Sequence, residues 1–503
     1  SGAFFHNDAL FNTRGRVFEK VLIQEVLDKI RTFAPAPCPA TGCTQDWVDI
    51  GATIDVARWY HSMQALSDDQ ILMVGGSKEG GLVLNTPRVN EPSYEISIDG
   101  HSLPAVPFPY FEFTNSDGPG KSYNVDRSPP SAVSSRPLLP STFIVSLYPA
   151  RKILTLLLSP SPLHILKVHL MPNTPDHVFT IIGNQVFIYD YISNKNIITP
   201  PFLPNPRTFP SSASSVLLPL KAFENCRPEV MVCGGSSGDA PNPKALDDGG
   251  RIHPLDTEPE WTFEQLPDGP RTMGDAFLLP HGNVFIVNGI LHVGLGTYMN
   301  RECLTDAVVF GASAYDPAFT PLLYKPDAPV GERFTIMPAS TIPRLYHSVA
   351  ALLPIGECFR EHQVPEFFNA GGLCSLHQQQ KMTFSYPTEY RVEIFSPPYM
   401  SAPNRPVIAS SPEFINYNTE FTVNVQGAVI GEATIVLSHH GFSTHGVHHG
   451  QSMIELTTFT TESGVTTVTS PPSGSVMPPG IYLLFATVNG IPSEAAWVRL
   501  NMI

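Results

Sequence analysis

A repeated unit of two short apolar strands, closed by two small residues, constrains the fold of this chain more than any other feature. The second strand of the unit stops at Gly-Gly or Asn-Gly in ILMVGGS (71–77), EVMVCGGSS (229–237), NVFIVNG (283–289) and EFFNAGG (366–372). A strand that opens with an arginine precedes three of these segments, and a polar turn such as SDDQ (67–70) joins the two strands. Small residues suit a place where backbones crowd together and a side chain would not fit.

Repetition of such a unit at intervals of several tens of residues is typical of a β-propeller of the kelch type. The chain has 51 prolines and 37 glycines in 503 residues, which indicates many turns and few long helices. An array of β-sandwiches is the alternative, but the recurring order from arginine to glycine pair argues against it. We therefore predict an all-β chain with a propeller.

The pattern changes near residue 400, where SPPYMSAPNRPVIASSP (396–412) forms a joint rich in proline and serine. Alternating strands follow it over about 100 residues, and this spacing is typical of an immunoglobulin-like sandwich. The predicted domains are a propeller over 1–403, with an incomplete first blade, and an immunoglobulin-like domain over 404–503.

The charge of the chain limits its partners. The formal net charge of -15 argues against non-specific binding to nucleic acid or to an anionic membrane surface. No apolar run is long enough to span a bilayer. We expect neither nucleic acid nor membrane as a partner, and the acidic, lysine-poor composition is compatible with a secreted protein.

Seven cysteines leave two interpretations open. The spacing of Cys38 and Cys43, of Cys226 and Cys233, and of Cys358 and Cys374 allows local disulfides, with Cys303 left over. The alternative is a set of buried free thiols. None of the cysteines lies in a C-x-x-C zinc pattern.

Candidate metal ligands occur in four segments. HHGFSTHGVHHGQ (439–451) holds five histidines in a loop of the C-terminal domain, and the others are RLYHS with Tyr346 and His347, NEPSYEIS with Tyr94, and ARWYHS with Tyr60 and His61. Adjacent residues of a strand point to opposite faces, so a Tyr-His pair can bind one ion only at a strand end or bulge. Taken singly, each pair is better explained as ordinary strand residues than as a site.

Taken together, the segments resemble the glyoxal oxidase branch of the copper radical oxidases, which are relatives of galactose oxidase. PRLYHSVAALLP (343–354) is similar to that family's Tyr-His ligand strand, and GFSTHG (441–446) is similar to its C-terminal ligand loop. Four more segments resemble the family in the same order: ARWYHSMQALSDDQILMVGGSKEGG (57–81), NEPSYE (90–95), GPRTMGDAFLLPHGNVFIVNG (269–289) and PTEYRVEIFSPPYM (387–400). The resemblance covers essentially the whole chain.

The resemblance implies a seven-bladed kelch-type propeller, followed by a galactose oxidase-like early-set domain that pushes a loop into the propeller. It implies one copper ion on the propeller axis, with His347 and His445 as imidazole ligands, Tyr94 as the equatorial phenolate and Tyr346 as the axial one. Two imidazoles and two phenolates suit Cu(II). The four other histidines of the loop are expected to be either a polar rim or residues that surround the ligands, with no purpose assigned: His439, His440, His448 and His449.

The implied reaction is oxidation of a small aldehyde, such as glyoxal or methylglyoxal, to a carboxylic acid, with dioxygen reduced to hydrogen peroxide. In the family, the counterpart of Tyr94 is joined to a cysteine by a thioether and forms a radical that takes hydrogen from the substrate. The tyrosine corresponding to Tyr346 takes the substrate's hydroxyl proton. A secreted monomer is expected.

The chain departs from the family at its start and after His445. The family's cross-linking cysteine stands in a Cys-Ser-Gly-Gly segment, and this chain opens with SGAFFHNDALFNTRGR (1–16). We expect that cysteine immediately upstream of Ser1 in a longer protein, and a protein without it would be impaired. Because VHHGQSM (447–453) replaces the family's continuation, primary alcohols or sugars stay open as substrates. A non-catalytic propeller that binds a partner or a glycan is the other alternative.

Overall fold

A computed structural model describes residues 3–6, 9–13, 29–33, 48–59, 61–78, 90–98, 100–109, 166–174, 176–207, 212–237, 244–293, 314–345, 348–361, 389–427, 433–444, 447–460 and 465–501. These residues form β-strands and turns, with short 3-10 helices at Ala222–Glu224 and Pro398–Ser401. Across these ranges no helix is long and apolar enough to cross a membrane. The all-β prediction is confirmed.

Two antiparallel sheets come first in the chain. The first has the order β1-β2-β3-β4, and the second has the order β5-β6-β7-β8, with β9 also paired to β7. Their strands are β1 (Ala3–His6), β2 (Ala9–Thr13), β3 (Lys29–Phe33), β4 (Val48–Thr53), β5 (Ser62–Ala65), β6 (Ile71–Val74), β7 (Ser93–Ile98), β8 (His101–Ser102) and β9 (Val106–Pro107).

Four further antiparallel sheets follow the same plan, in which the chain runs from one edge strand to the other. Their strands are, sheet by sheet, β10 (Leu166–Leu170), β11 (His177–Ile182), β12 (Gln185–Asp190) and β13 (Lys195–Ile198); β14 (Ser214–Leu217), β16 (Val230–Cys233), β19 (Asp248–Ile252) and β20 (Thr262–Gln265); β21 (Asp275–Leu278), β22 (Val284–Val287), β25 (Leu322–Tyr324) and β26 (Phe334–Ile336); β27 (Val349–Leu352), β28 (Cys358–Glu361) and β29 (Glu393–Phe395). Two-stranded antiparallel sheets pair β17 (Ser236–Ser237) with β18 (Lys244–Ala245) and β23 (Ile290–Val293) with β24 (Ala314–Pro317).

The first strands of five of these six sheets lie side by side. Strand β5 contacts β10, β14 contacts β21, and β21 contacts β27. His169 Nε2 on β10 lies 2.8 Å from Ser215 Oγ on β14, and Asp275 Oδ2 on β21 accepts the Ala350 N–H of β27 at 2.7 Å. The first strands therefore line a shared channel, as in a propeller. Six such sheets lie in the described ranges, so the count of seven blades stays a prediction.

The glycine pair that follows the second strand of a sheet has left-handed backbone geometry. The φ angles are 68° and 97° at Gly75 and Gly76, and 62° and 93° at Asn288 and Gly289. A Cβ on Gly76 would lie 2.9 Å from the carbonyl oxygen of Trp59, shortly before the first strand of the same sheet. Glycine is needed here because backbone stands where its side chain would be, as the sequence predicts.

The buried arginine of the repeat ties the start of a first strand to this glycine pair. Arg58 Nη1 donates to the Gly75 carbonyl at 2.8 Å, and Arg271 Nη1 donates to the Asn288 carbonyl at 3.2 Å. Both side chains are buried. The recurring order from arginine to glycine pair in the sequence is thus a recurring hydrogen bond in the fold.

The C-terminal domain is a sandwich of two sheets. One sheet contains β30 (Val407–Ser410), β32 (Glu420–Gln426), β38 (Val465–Thr469) and β37 (Thr458–Thr460); the other contains β15 (Leu220–Lys221), β36 (Ser452–Glu455), β33 (Ala433–His439), β39 (Gly480–Val488), β40 (Ile491–Pro492), β41 (Ala496–Asn501) and β31 (Phe414–Asn416). Strand β15 comes from the propeller region and joins β36 in parallel. Leu437 and Tyr482 share one hydrophobic cluster with Phe179 and Val232, so the core continues between the two regions.

The structure distinguishes between a disulfide and free thiols for Cys226 and Cys233. Cys226, Cys233 and Cys358 are buried free thiols that lie in three different hydrophobic clusters. A disulfide between Cys226 and Cys233 was therefore the wrong prediction. The other four cysteines lie outside the described residues.

Candidate metal centre

A β-hairpin from the C-terminal domain lies against the first strands of the propeller. This channel hairpin consists of β34 (Phe442–Thr444) and β35 (Val447–His449), joined through residues 445 and 446. Strand β35 contacts β5, β14 and β21, and β34 contacts β27. The domain thus sends a loop into the propeller, as the resemblance implies. His445, the predicted ligand of this loop, lies outside the described residues.

The base of the channel hairpin is tightly closed. Gly441 precedes β34 with a φ of 63°, and a Cβ at this position would lie 2.8 Å from the backbone nitrogen of Gln451. His439 Nδ1 lies 2.9 Å from the Gly450 carbonyl oxygen and 3.3 Å from the Gly441 nitrogen. The two chain segments that enter and leave the hairpin are therefore held together by one glycine and one histidine.

The remaining histidines of the segment pack against other rings. The His448 ring stacks on Phe277 of β21 at 5.8 Å between centroids, and the His449 ring stacks on Phe442 at 5.1 Å. His440 stacks on His439 at 5.3 Å. Of the two expectations, these contacts fit residues that surround the ligand loop better than they fit a polar rim.

Burial keeps the imidazoles of this region neutral. It lowers the pKa of His61, His169 and His448 to about 3, and that of His439 to about 4. A neutral imidazole can offer a ring nitrogen to a cation, whereas an imidazolium cannot. Within the described ranges, no group of three His, Cys, Asp or Glu side chains is placed to hold a metal ion.

The free energy of unfolding should fall as the pH drops from about 6.5 towards 4. In this window the unfolded chain protonates its histidines, whereas folded His448, with a pKa of about 3, binds no proton. Each such histidine adds a slope of about 1.4 kcal/mol per pH unit. Urea unfolding between pH 7 and pH 4.5 measures the slope, which His448→Leu should flatten and the exposed-site control His101→Gln should not. Equal slopes for the original protein and both variants would contradict a neutral, buried His448.

Tyr346 and His347 lie outside the described residues, but the segments on either side of them are described. Arg344 is buried, and its carbonyl accepts the Gly289 N–H at 2.8 Å. Ser348 Oγ donates to the Leu345 carbonyl at 2.8 Å, immediately before β27. These contacts anchor the RLYHS segment at the start of a first strand that the channel hairpin touches.

The structure does not support Tyr94 as a ligand on the propeller axis. Tyr94 is buried on β7, the third strand of its sheet, where its ring meets Phe108 and Tyr189 edge-on at 6.2 and 6.1 Å. Its hydroxyl donates to the Tyr191 carbonyl at 2.6 Å. Burial raises the pKa of this phenol to about 12. The hydrogen bond to the Tyr191 carbonyl, the apolar cluster and the third-strand position suit a core residue.

The segment around Tyr60 leads into the first strand of its sheet, whereas Tyr94 lies on the third strand. RWYHS (58–62) and RLYHS (344–348) are two copies of one pattern, and they lead directly into the first strands β5 and β27. The channel hairpin contacts both strands. Tyr60 itself lies outside the described residues, whereas His61 Nδ1 lies 3.2 Å from the Arg58 carbonyl. The internal repeat is a sequence signal that sets the segment around Tyr60 apart from the segment around Tyr94.

Comparison with known proteins agrees with this architecture. A family model described as glyoxal oxidase N-terminus matches residues 166–399, and one described as galactose oxidase-like, early set domain matches residues 405–500. The chain is 31% identical to aldehyde oxidase GLOX of Vitis pseudoreticulata, in a match that covers 99% of this chain and 81% of that protein. The chain belongs to the glyoxal oxidase family.

Two further similarities support the same family and fold. Aldehyde oxidase GLOX1 of Arabidopsis thaliana is 32% identical, in a match that covers 65% of this chain and 54% of that protein. A solved structure of a fungal alcohol oxidase of the AA5 family, in complex with copper, matches 99% of this chain and 85% of that chain, with a TM-score of 0.66 and 17% identity. At that identity the likeness supports the fold, and it agrees with the predicted propeller and early-set domain.

Proposed function

We propose that this glyoxal oxidase family member is a copper-dependent oxidase that converts small aldehydes to carboxylic acids and reduces dioxygen to hydrogen peroxide. Its relatives named as aldehyde oxidases support the reaction class. The observation that carries the proposal is the channel hairpin, which contacts β5 and β27, the two first strands that each follow a Tyr-His-Ser sequence. Glyoxal and methylglyoxal are the proposed substrates.

His347 and His445 would hold the copper ion through imidazole nitrogen, and Tyr346 would hold it through phenolate oxygen. We assign the second phenolate to Tyr60 in place of Tyr94, because the Tyr94 hydroxyl donates to the Tyr191 carbonyl in an apolar core. This donor set suits Cu(II), and the neutral imidazoles of the channel fit a cation. When bound, copper supplies a Lewis acid and an electron acceptor.

The side chains contribute the proton chemistry. Tyr346 Oη would take the hydroxyl proton of the hydrated aldehyde, and the buried surroundings of the channel would exclude competing water. The tyrosine-cysteine thioether that the resemblance implies belongs to the same proposal, with Tyr60 as its tyrosine. So do an extracellular location and a monomeric state, which size-exclusion chromatography of the secreted protein would test.

Copper-loaded, full-length protein should release hydrogen peroxide faster with glyoxal and methylglyoxal than with primary alcohols or galactose. Tyr346→Phe should lower the rate by about 100-fold, because it removes the proton acceptor. Tyr60→Phe should abolish peroxide release, whereas the matched variant Tyr94→Phe should keep it within a few-fold of the original rate, since it loses only a core hydrogen bond.

Each part of the proposal has its own contrary result. Faster turnover of galactose than of aldehydes would assign alcohol oxidation instead. Loss of activity in Tyr94→Phe with retention in Tyr60→Phe would restore Tyr94 as the ligand. Full-length protein that binds no copper would favour a non-catalytic propeller.

A further inference from the structure

Gln451 fastens the base of the channel hairpin to the propeller. Its Oε1 atom accepts the Leu278 N–H at 2.7 Å, and its Nε2 atom donates to the Leu278 carbonyl at 3.2 Å. The side chain is 8% exposed, and both bonds are buried. One amide therefore satisfies both backbone groups of a single residue at the end of β21.

Two bonds between one side-chain amide and the N–H and C=O of one residue fix the register of the contact as well as its distance. Because the donor and the acceptor of Gln451 must meet the acceptor and the donor of Leu278, the side chain cannot turn over or shift to the next residue without losing both bonds. A buried peptide group that loses such partners is costly. The pairing therefore selects one register between the hairpin and β21.

A ring contact beside this amide also holds the hairpin in the same register. His448, three residues before Gln451, stacks on Phe277, the residue before Leu278. Both residues lie on the arm of the hairpin that returns from the tip. Two neighbouring residues of β21 thus hold two points of this arm.

The register at Gln451, at the base of the hairpin, determines where position 445 lies at the tip and which way its side chain points. A strand advances about 3.3 Å per residue, and successive side chains point to opposite faces. A slip of one residue at Gln451 would therefore move position 445 by about 3.3 Å and turn its side chain away, whereas metal–ligand distances tolerate about 0.2 Å. The depth and register of the base must be fixed if the tip is to supply a ligand.

We propose that Gln451 is a positioning residue, whose paired hydrogen bonds to Leu278 set the depth and register at which the channel hairpin delivers His445 to copper. The inference rests on the proposed function, because it takes His445 as a copper ligand. It assigns to Gln451 no contact with substrate or metal.

The test compares Gln451→Met, which keeps the size and removes both bonds, with Gln426→Met, an exposed glutamine of β32 in the same domain. In copper-free, full-length protein, hydrogen exchange of peptides from 440–452 should be faster in Gln451→Met only. Its Cu(II) affinity, measured by chelator competition, should fall by about 10- to 100-fold, with altered Cu(II) electron paramagnetic resonance parameters. Gln451→Glu keeps the acceptor and, when protonated, the donor, and should recover part of the affinity.

Hydrogen exchange tests the positioning role of Gln451, and copper binding tests the proposed copper site. Unchanged hydrogen exchange in Gln451→Met would overturn the inference whether or not copper binds. So would lower stability with unchanged copper affinity and an unchanged spectrum, since that result describes a purely structural glutamine. An original protein that binds no copper would overturn the proposed function, and with it the copper role assigned to Gln451.

Discussion

Replacing Gly441 with alanine is expected to displace the channel hairpin and to weaken copper binding by more than about 100-fold, while the propeller stays folded. The new Cβ would lie 2.7 Å from the His448 ring and 2.8 Å from the Gln451 backbone nitrogen, and it would also meet the His449 carbonyl. Two of these three neighbours are backbone, so they cannot swing aside as the end of a side chain could. The hairpin must move, and overpacking of this kind costs about 3 kcal/mol of unfolding free energy.

A matched glycine separates the clash from backbone strain. Gly490 also has a positive φ, 75° against 63° at Gly441, but a Cβ added there would have no atom of the described residues within 4 Å beyond its chain neighbours. Gly490→Ala should cost about 1 kcal/mol of unfolding free energy from the left-handed geometry and leave copper affinity unchanged. Urea unfolding and chelator competition measure both effects. Equal copper affinity in the two variants would show that the hairpin base tolerates a side chain.

The propeller could be predicted from sequence because its chemistry is local. A glycine pair after an apolar strand marks the left-handed backbone at Gly75 and Gly76, and the upstream arginine marks the side chain that bonds to it. In each case the arginine and the glycine pair belong to the same sheet, so neither signal depends on a residue far away in the chain. The order of strands within each sheet follows from such short connections.

The predicted ligand set depends on which strand of each sheet faces the channel, and the sequence alone does not give this. Tyr94 lies shortly after a glycine pair and directly before an acidic residue, a setting that suits a functional tyrosine, yet β7 is the third strand of its sheet. Only the strand order shows that its ring belongs to the core with Phe108 and Tyr189. The repeated RWYHS and RLYHS segments carried the positional signal, since both lead into first strands.

The five histidines show another limit of sequence reasoning. Composition suggests one function for the whole cluster, but the contacts differ from ring to ring: His439 bonds to Gly450, and His448 stacks on Phe277. Phe277 belongs to the propeller, so no local pattern in the C-terminal domain encodes its contact with His448. The contact of Gln451 could not be predicted from the sequence either, because its partner Leu278 is 173 residues away.

Replacing Glu95 with alanine is expected to lower the free energy of unfolding by about 3 to 5 kcal/mol, since the change leaves a buried charge without its partner. Glu95 Oε1 accepts from Arg58 Nε at 2.7 Å, and both side chains are fully buried. Oε2 also accepts the Asp55 N–H at 2.6 Å and the Ser102 hydroxyl at 2.7 Å. The carboxylate thus holds together the segment that leads into β5.

The same change should weaken copper binding if Tyr60 is a ligand, because Arg58 opens the RWYHS segment. The control is Asp256→Ala, which breaks the exposed ion pair with Arg227 and should cost no more than about 1 kcal/mol. A double variant, Arg58→Met with Glu95→Leu, removes both charges and should be more stable than Glu95→Ala alone. If Glu95→Ala costs no more than Asp256→Ala, the buried pair is not what fixes this segment.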